Sequence, residues 1–176
     1  MEILICLIGV ISVGWSLVTL AHLMRADPRF VFEFEDGVLE FEIESPGVYS
    51  IAVLGTGYVG NLSQVSTRLQ TNSRAPLDVR RYIVNPTMRI EGQMATGCWY
   101  FIAEGHGNHT LSLSNLGAIK ARESMSPVRR VFRKPIDSNR LRIIIHRTVR
   151  PLYQFLAILG LVIGLQMFFA SFIIDF

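Results

Sequence analysis

Two histidines three residues apart, His106 and His109, sit in the run Glu104-Gly105-His106-Gly107-Asn108-His109, with Cys98 shortly before. Imidazole, carboxylate and thiolate are the ligands that zinc-type ions take, and a site needs three or four of them. Only the turn residues His106, His109 and Glu104 are assured of proximity. A Gly- and Asn-rich turn explains the same letters through backbone conformation alone, so no metal or other cofactor is expected. Nucleophilic chemistry has less support. No Gly-x-Ser-x-Gly elbow occurs, and Cys98, followed by Trp99-Tyr100-Phe101, reads as a small core residue of a strand. Carboxylates cluster only where Glu33, Glu35, Glu40, Glu42 and Glu44 alternate with apolar residues, a pattern explained by cross-strand ion pairs. The chain therefore reads as non-enzymatic. A membrane-tethered metal-dependent enzyme using the His106/His109 turn is the alternative from a different class.

The run Ile51-Ala52-Val53-Leu54-Gly55-Thr56-Gly57-Tyr58-Val59-Gly60 places G-x-G-x-x-G directly after an apolar strand. Over these ten residues it resembles the first turn of nucleotide-sugar dehydrogenases of the UDP-glucose dehydrogenase type. That resemblance implies a pyrophosphate held at a helix N-terminus. The surroundings point elsewhere. The strand is third in a β-series, the next segment is rich in Ser and Thr, and Asp78 precedes its candidate strand rather than ending it. The bland reading is a buried strand entering a glycine-rich bend, with Gly55, Gly57, Tyr58 and Gly60 as exposed contact candidates.

A basic stretch, Arg129, Arg130, Arg133 and Lys134, joins Arg140, Arg142, Arg147 and Arg150. These cations can neutralise the acidic strands, touch anionic lipid headgroups at about 1 kcal/mol each, or bind an acidic partner. Structural pairing and headgroup contact are preferred. Nucleic acid is not expected, because aromatic interleaving and a recognition helix are both missing.

These groups are positioned by a chain with apolar segments at both ends. Leu152 to Ile174 and Ile3 to Met24 contain no Asp, Glu, Lys or Arg. Either is long enough, as a helix, for a hydrocarbon core of about 30 Å. A signal peptide in place of the first would need a positive n-region and a small-residue cleavage site. Met-Glu and His22-Leu23-Met24 supply neither. The second segment carries Gly160 and Gly164 as a GxxxG step, and the first offers Gly9, Ser12 and Ser16 on one face. The two helices are expected to pack on each other, with homodimerisation as the other outcome. Gln166 is expected to bond a helix partner rather than face lipid.

Between them the period changes to two. Phe30, Phe32 and Phe34, then Asp36-Gly37, then Leu39, Phe41 and Ile43 predict a β-hairpin. Val48–Leu54 is a third strand. Residues 61–71 are a short helix or a polar strand. Strands follow at 80–84, 87–91, 98–103, 110–116, 118–123 and 141–146, with 98–103 and 110–116 forming a second hairpin. The acidic first strands and basic last strand predict that first and last are neighbours. The expected class is a membrane protein with an all-β soluble domain: transmembrane helix 1–26, antiparallel β-sandwich or jelly-roll-like domain 27–148, transmembrane helix 149–176.

All 17 Lys and Arg lie between Arg25 and Arg150. Positive-inside bias then places the domain on the cytoplasmic side of a bacterial inner membrane, with the periplasm as the alternative because the loop is long. The expected function is that of an accessory or regulatory subunit that recruits or restrains a protein partner at the bilayer. Its contact candidates are the turns at Gly55–Gly60 and Glu104–Asn108 (His106 and Asn108 included) and the arginines Arg129, Arg130 and Arg133. An immunity-type protein guarding a bacterial membrane against a toxin is the runner-up.

Overall fold

A computed structural model describes residues 2–24, 28–71, 75–122, 136 and 138–173. Arg129, Arg130, Arg133 and Lys134 lie outside the described residues. The chain divides into two compact units, Met1–Arg25 with Val149–Phe176, and Ala26–Thr148.

The first unit is a helix pair, α1 (Glu2–Met24) and α2 (Pro151–Ile173). Pro151 opens α2, where its missing N–H is one the helix could not use anyway. Small residues set the contact. A Cβ on Gly164 would lie 2.9 Å from both Gly9 O and Val13 Cγ2, and one on Gly9 would lie 3.0 Å from Gly164 O. Backbones approach this closely only where side chains are absent. Ser12 Oγ donates to Gly160 O at 2.9 Å, and Ser16 is fully buried against Gly160. Gln154 Nε2 donates to Val149 O at 3.0 Å. The Gln166 side chain is exposed, turned away from the seam that Gly160 and Gly164 make with α1. Among the described residues one stretch, Pro151–Ala170, is long and apolar enough to cross a membrane, while Cys6–Ala21 is apolar but shorter.

The second unit is mostly antiparallel β-sheet. A six-stranded sheet runs β1 (Pro28–Glu33), β12 (Arg142–Thr148), β3 (Gly47–Leu54), β9 (Gln93–Ala103) and β7 (Arg80–Arg81), with β8 (Thr87–Ile90) also paired to β9. A four-stranded sheet runs β2 (Gly37–Ile43), β10 (Gly107–Ser114), β5 (Ser66–Thr71) and β6 (Pro76–Leu77). A two-stranded ribbon joins β4 (Tyr58–Gly60) to β11 (Lys120–Arg122). Residues of both larger sheets, Tyr49, Ile51, Phe101, Ile143 and Ile145 from one and Phe41, Ile43, Leu69, Leu111 and Leu113 from the other, make one hydrophobic cluster. Each strand contributes alternate residues, as the period-two pattern requires.

First and last strands are neighbours: β1 pairs β12, with Glu33 opposite Arg142. The charge match is partial. Arg142 donates instead to the carbonyls of Asn139 and Leu141, and Glu44 pairs with Arg29 at 2.8 Å. Both expected hairpins are corrected. β1 and β2 belong to different sheets, as do β9 and β10, so each connection crosses the core as an arch. Alternation fits either geometry, because it reports only that one face is buried. Asp36 shows why its turn is not a hairpin turn. Its carboxylate accepts the backbone N–H groups of Asn115 (2.9 Å) and Leu116 (2.7 Å). It thereby serves the 3-10 turn Leu116–Ala118 rather than a two-residue loop. Residues 61–71 hold a 3-10 turn, Leu62–Gln64, and then β5.

Candidate functional site

The glycine-rich bend leads from β3 into β4, a strand and not a helix, so no helix N-terminus faces it. Its centre is Thr56, which is fully buried. The Thr56 hydroxyl accepts N–H from Tyr58 (3.2 Å) and Arg122 (3.1 Å) and donates toward the carbonyls of Tyr58 (2.7 Å) and Arg122 (2.8 Å). Thr96 Oγ1 donates to Thr56 O at 2.9 Å. Gly55 has φ +90°, and a Cβ there would meet Arg140 O at 3.0 Å. Gly57 N–H donates to Arg122 O. Every polar group of Gly55, Thr56 and Gly57 named here is engaged by the protein itself. The bend is a structural knot that fastens the ribbon to the six-stranded sheet. Tyr58 and Gly60 are half-buried in that ribbon.

The second candidate turn is split by the strand that follows it. Glu104, His106 and Asn108 are exposed, while His109 is 5% exposed, stacked on Phe41 at 5.8 Å, with Nδ1 bonded to Gly107 O at 2.8 Å. His106 and His109 therefore do not share a face. Among the described residues no three His, Cys, Asp or Glu side chains gather as a metal site. Cys98 is buried beside Thr96 O, and burial pushes its thiol far above the ordinary range. A thiol held protonated is a poor nucleophile. A shallow open depression of about 260 Å³ lies over Glu40, Phe41, Glu42, Asn108, His109 and Thr110.

Two features escaped the sequence. One row of the six-stranded sheet sets Arg80, Tyr100, Ser50 and His146 abreast. Ser50 Oγ and His146 Nε2 are buried and, among the described residues, have no hydrogen-bond partner. His146 Nδ1 bonds to Arg147 O at 3.0 Å, and desolvation lowers its pKa, so the imidazole is held neutral. The other feature is an apolar tip between β7 and β8. Ile83 is 101% and Val84 78% exposed. The flanking residues are pinned: Tyr82 N–H donates to Cys98 O (3.1 Å), Asn85 Nδ2 to Val59 O (3.3 Å), and Gly97 N–H to Pro86 O (2.8 Å). Arg80 is exposed beside them and paired with Asp78 at 2.7 Å. The sequence signal was available: an apolar pair immediately before Asn85-Pro86, which stops a strand.

No protein-family model, curated protein or solved structure matches this chain.

Proposed function

We propose that this chain is a two-pass membrane protein whose β-sandwich domain binds a protein partner at the bilayer and carries no catalytic site. The observation that carries the reading is the exterior of the helix pair. Leu7, Ile11 and Val18 of α1 and Leu152, Phe155 and Phe169 of α2 are all more than half exposed. A surface so apolar is a poor match to water and a good match to hydrocarbon. The core cluster shared by the two larger sheets supports the sandwich.

Within that reading, the pinned Ile83–Val84 tip is the contact surface. A rigid apolar projection loses little conformational entropy on docking and buries area efficiently. The role is that of an accessory or regulatory subunit, with the domain in the cytoplasm by its cation distribution.

The test is fractionation followed by crosslinking in native membranes. The full chain should resist alkaline carbonate extraction. A photo-crosslinking residue at Ile83 should give a discrete adduct, and one at Ser112 should give none. Extraction by carbonate removes the membrane reading. Equal yields at both positions remove the tip as the contact surface.

A further inference from the structure

Gln166 is the residue the fold leaves unexplained. It lies fifteen residues into α2, about 22 Å along the axis at 1.5 Å per residue. Its amide is exposed on the outer side of the helix pair, among Leu, Val and Phe. Accepting the membrane reading above, on which this inference rests, that position is inside hydrocarbon. An amide there lacks water and gains from a hydrogen-bonding partner on another helix.

The neighbours on that face are spaced regularly. Leu152, Phe155, Leu159, Val162, Gln166 and Phe169 follow one another at steps of three, four, three, four and three, and all are exposed. At 100° per residue they fall within an arc of about 100°. That is the spacing a helix–helix seam uses, and the row is apolar throughout except for one amide. A separate seam on α2, Gly160 and Gly164, packs against Gly9, Ser12, Val13 and Ser16 of α1. One face of α2 is therefore used within the chain, and a second is exposed among the described residues.

We infer that the second face is a homodimer interface in which Gln166 of one copy pairs with Gln166 of another. Two copies inserted with the same topology run parallel, so a two-fold axis along the membrane normal sets each residue opposite itself. An amide carries both a donor and an acceptor, so it can pair with its own copy through two reciprocal hydrogen bonds. A carboxylate or an ammonium at the same place would meet a like charge. A single polar residue in an apolar seam also fixes register, because any slip leaves both amides unpaired. Membrane dimerisation of this kind is compatible with the α1–α2 contact, since the two seams point to opposite sides of α2.

The test uses the full chain in native membranes with Cys6→Ser and Cys98→Ala, so that each introduced cysteine is the only one. Leu159→Cys and Val162→Cys should give disulfide-linked dimers on copper-phenanthroline oxidation. Leu156→Cys and Leu165→Cys, exposed but off the seam, should give little. Adding Gln166→Leu to Val162→Cys should weaken dimerisation by roughly 3- to 30-fold, and Gln166→Asn should restore much of it. A chain released by carbonate refutes the membrane reading. A chain retained in the membrane with no dimer from Val162→Cys refutes the inference alone. Equal dimer from all four positions reports random collision and refutes it too. A Val162→Cys adduct whose mass differs from twice that of the chain assigns the seam to another protein and overturns the self-pairing.

Discussion

Thr56→Val tests whether the glycine-rich bend is a structural knot. Valine keeps the branched Cβ and removes the hydroxyl. The Tyr58 and Arg122 N–H groups, at 3.2 and 3.1 Å from Thr56 Oγ1, then lose their acceptor. A buried donor left unsatisfied costs about 1–3 kcal/mol. Tyr58 and Arg122 are half-buried, which favours the lower part of that range. The two together give about 2–4 kcal/mol, a sizeable share of the roughly 5–15 kcal/mol that holds an ordinary domain. The Thr96 Oγ1 bond goes to the Thr56 carbonyl and survives. Trp99, 5% exposed in the core, is the reporter, in a Trp15→Phe background. Urea unfolding of the full chain in detergent should show the midpoint falling by about 1–2 M, given a slope of about 2 kcal/mol/M. Thr56→Ser keeps the oxygen and should lose under about 1 kcal/mol. A Thr56→Val midpoint within error of the parent would refute the reasoning, as would equal loss in both variants.

Three further outcomes are expected. Gly97→Ala sets a Cβ 2.9 Å from Pro86 Cγ and 3.3 Å from Ser50 Oγ. Overpacking of that kind costs about 1–3 kcal/mol and should raise hydrogen exchange at Tyr82 and Gly97 as the tip loosens. His146 is neutral in the fold because desolvation lowers its pKa below the ordinary 6.5. As pH falls through 6.5 the unfolded chain binds a proton that the native imidazole refuses. Stability therefore drops on acidification, by up to about 1.4 kcal/mol per pH unit, until the native pKa is reached. Urea midpoints between pH 7 and 5 should show that limb in the parent and a shallower one in His146→Gln. Gly164→Leu should separate α1 from α2, since even a Cβ meets Gly9 O and Val13 Cγ2 at 2.9 Å. Gly14→Leu, with nothing within 4 Å, is the matched control. Thermal melts in detergent should show a loss for the first alone.

The strands were legible where side chains alternate, and their pairing was not. Phe30, Phe32, Leu39, Phe41 and Ile43 announce two strands with one buried face each, and both strands exist. Whether such strands lie side by side or across a core depends on what pairs their edges. For β1 that partner is β12, more than a hundred residues later, and for β2 it is β10. The β1–β12 pairing was predicted from charge and is present, with Glu33 opposite Arg142, although Arg142 bonds to the Asn139 and Leu141 carbonyls. The tip at Ile83–Val84 was read as strand because its residues favour strands. Only Asn85 and Pro86, which close the loop onto Val59 and Gly97, make it a projection.

The side of α2 on which Gln166 lies was legible in the sequence. Gly164 packs against Gly9, and a residue two positions further along a helix is rotated by about 200°. A side chain at 166 therefore points away from whatever Gly164 touches, in any α-helix. Gly164 and Gln166 cannot serve the same neighbour. A 23-residue helix has room for two contacts. The small residues specify close approach, and α1 with Gly9, Ser12 and Ser16 answers them. On the membrane reading proposed above, the amide at 166 meets no water, and the self-pairing inferred for that face would supply its hydrogen bonds.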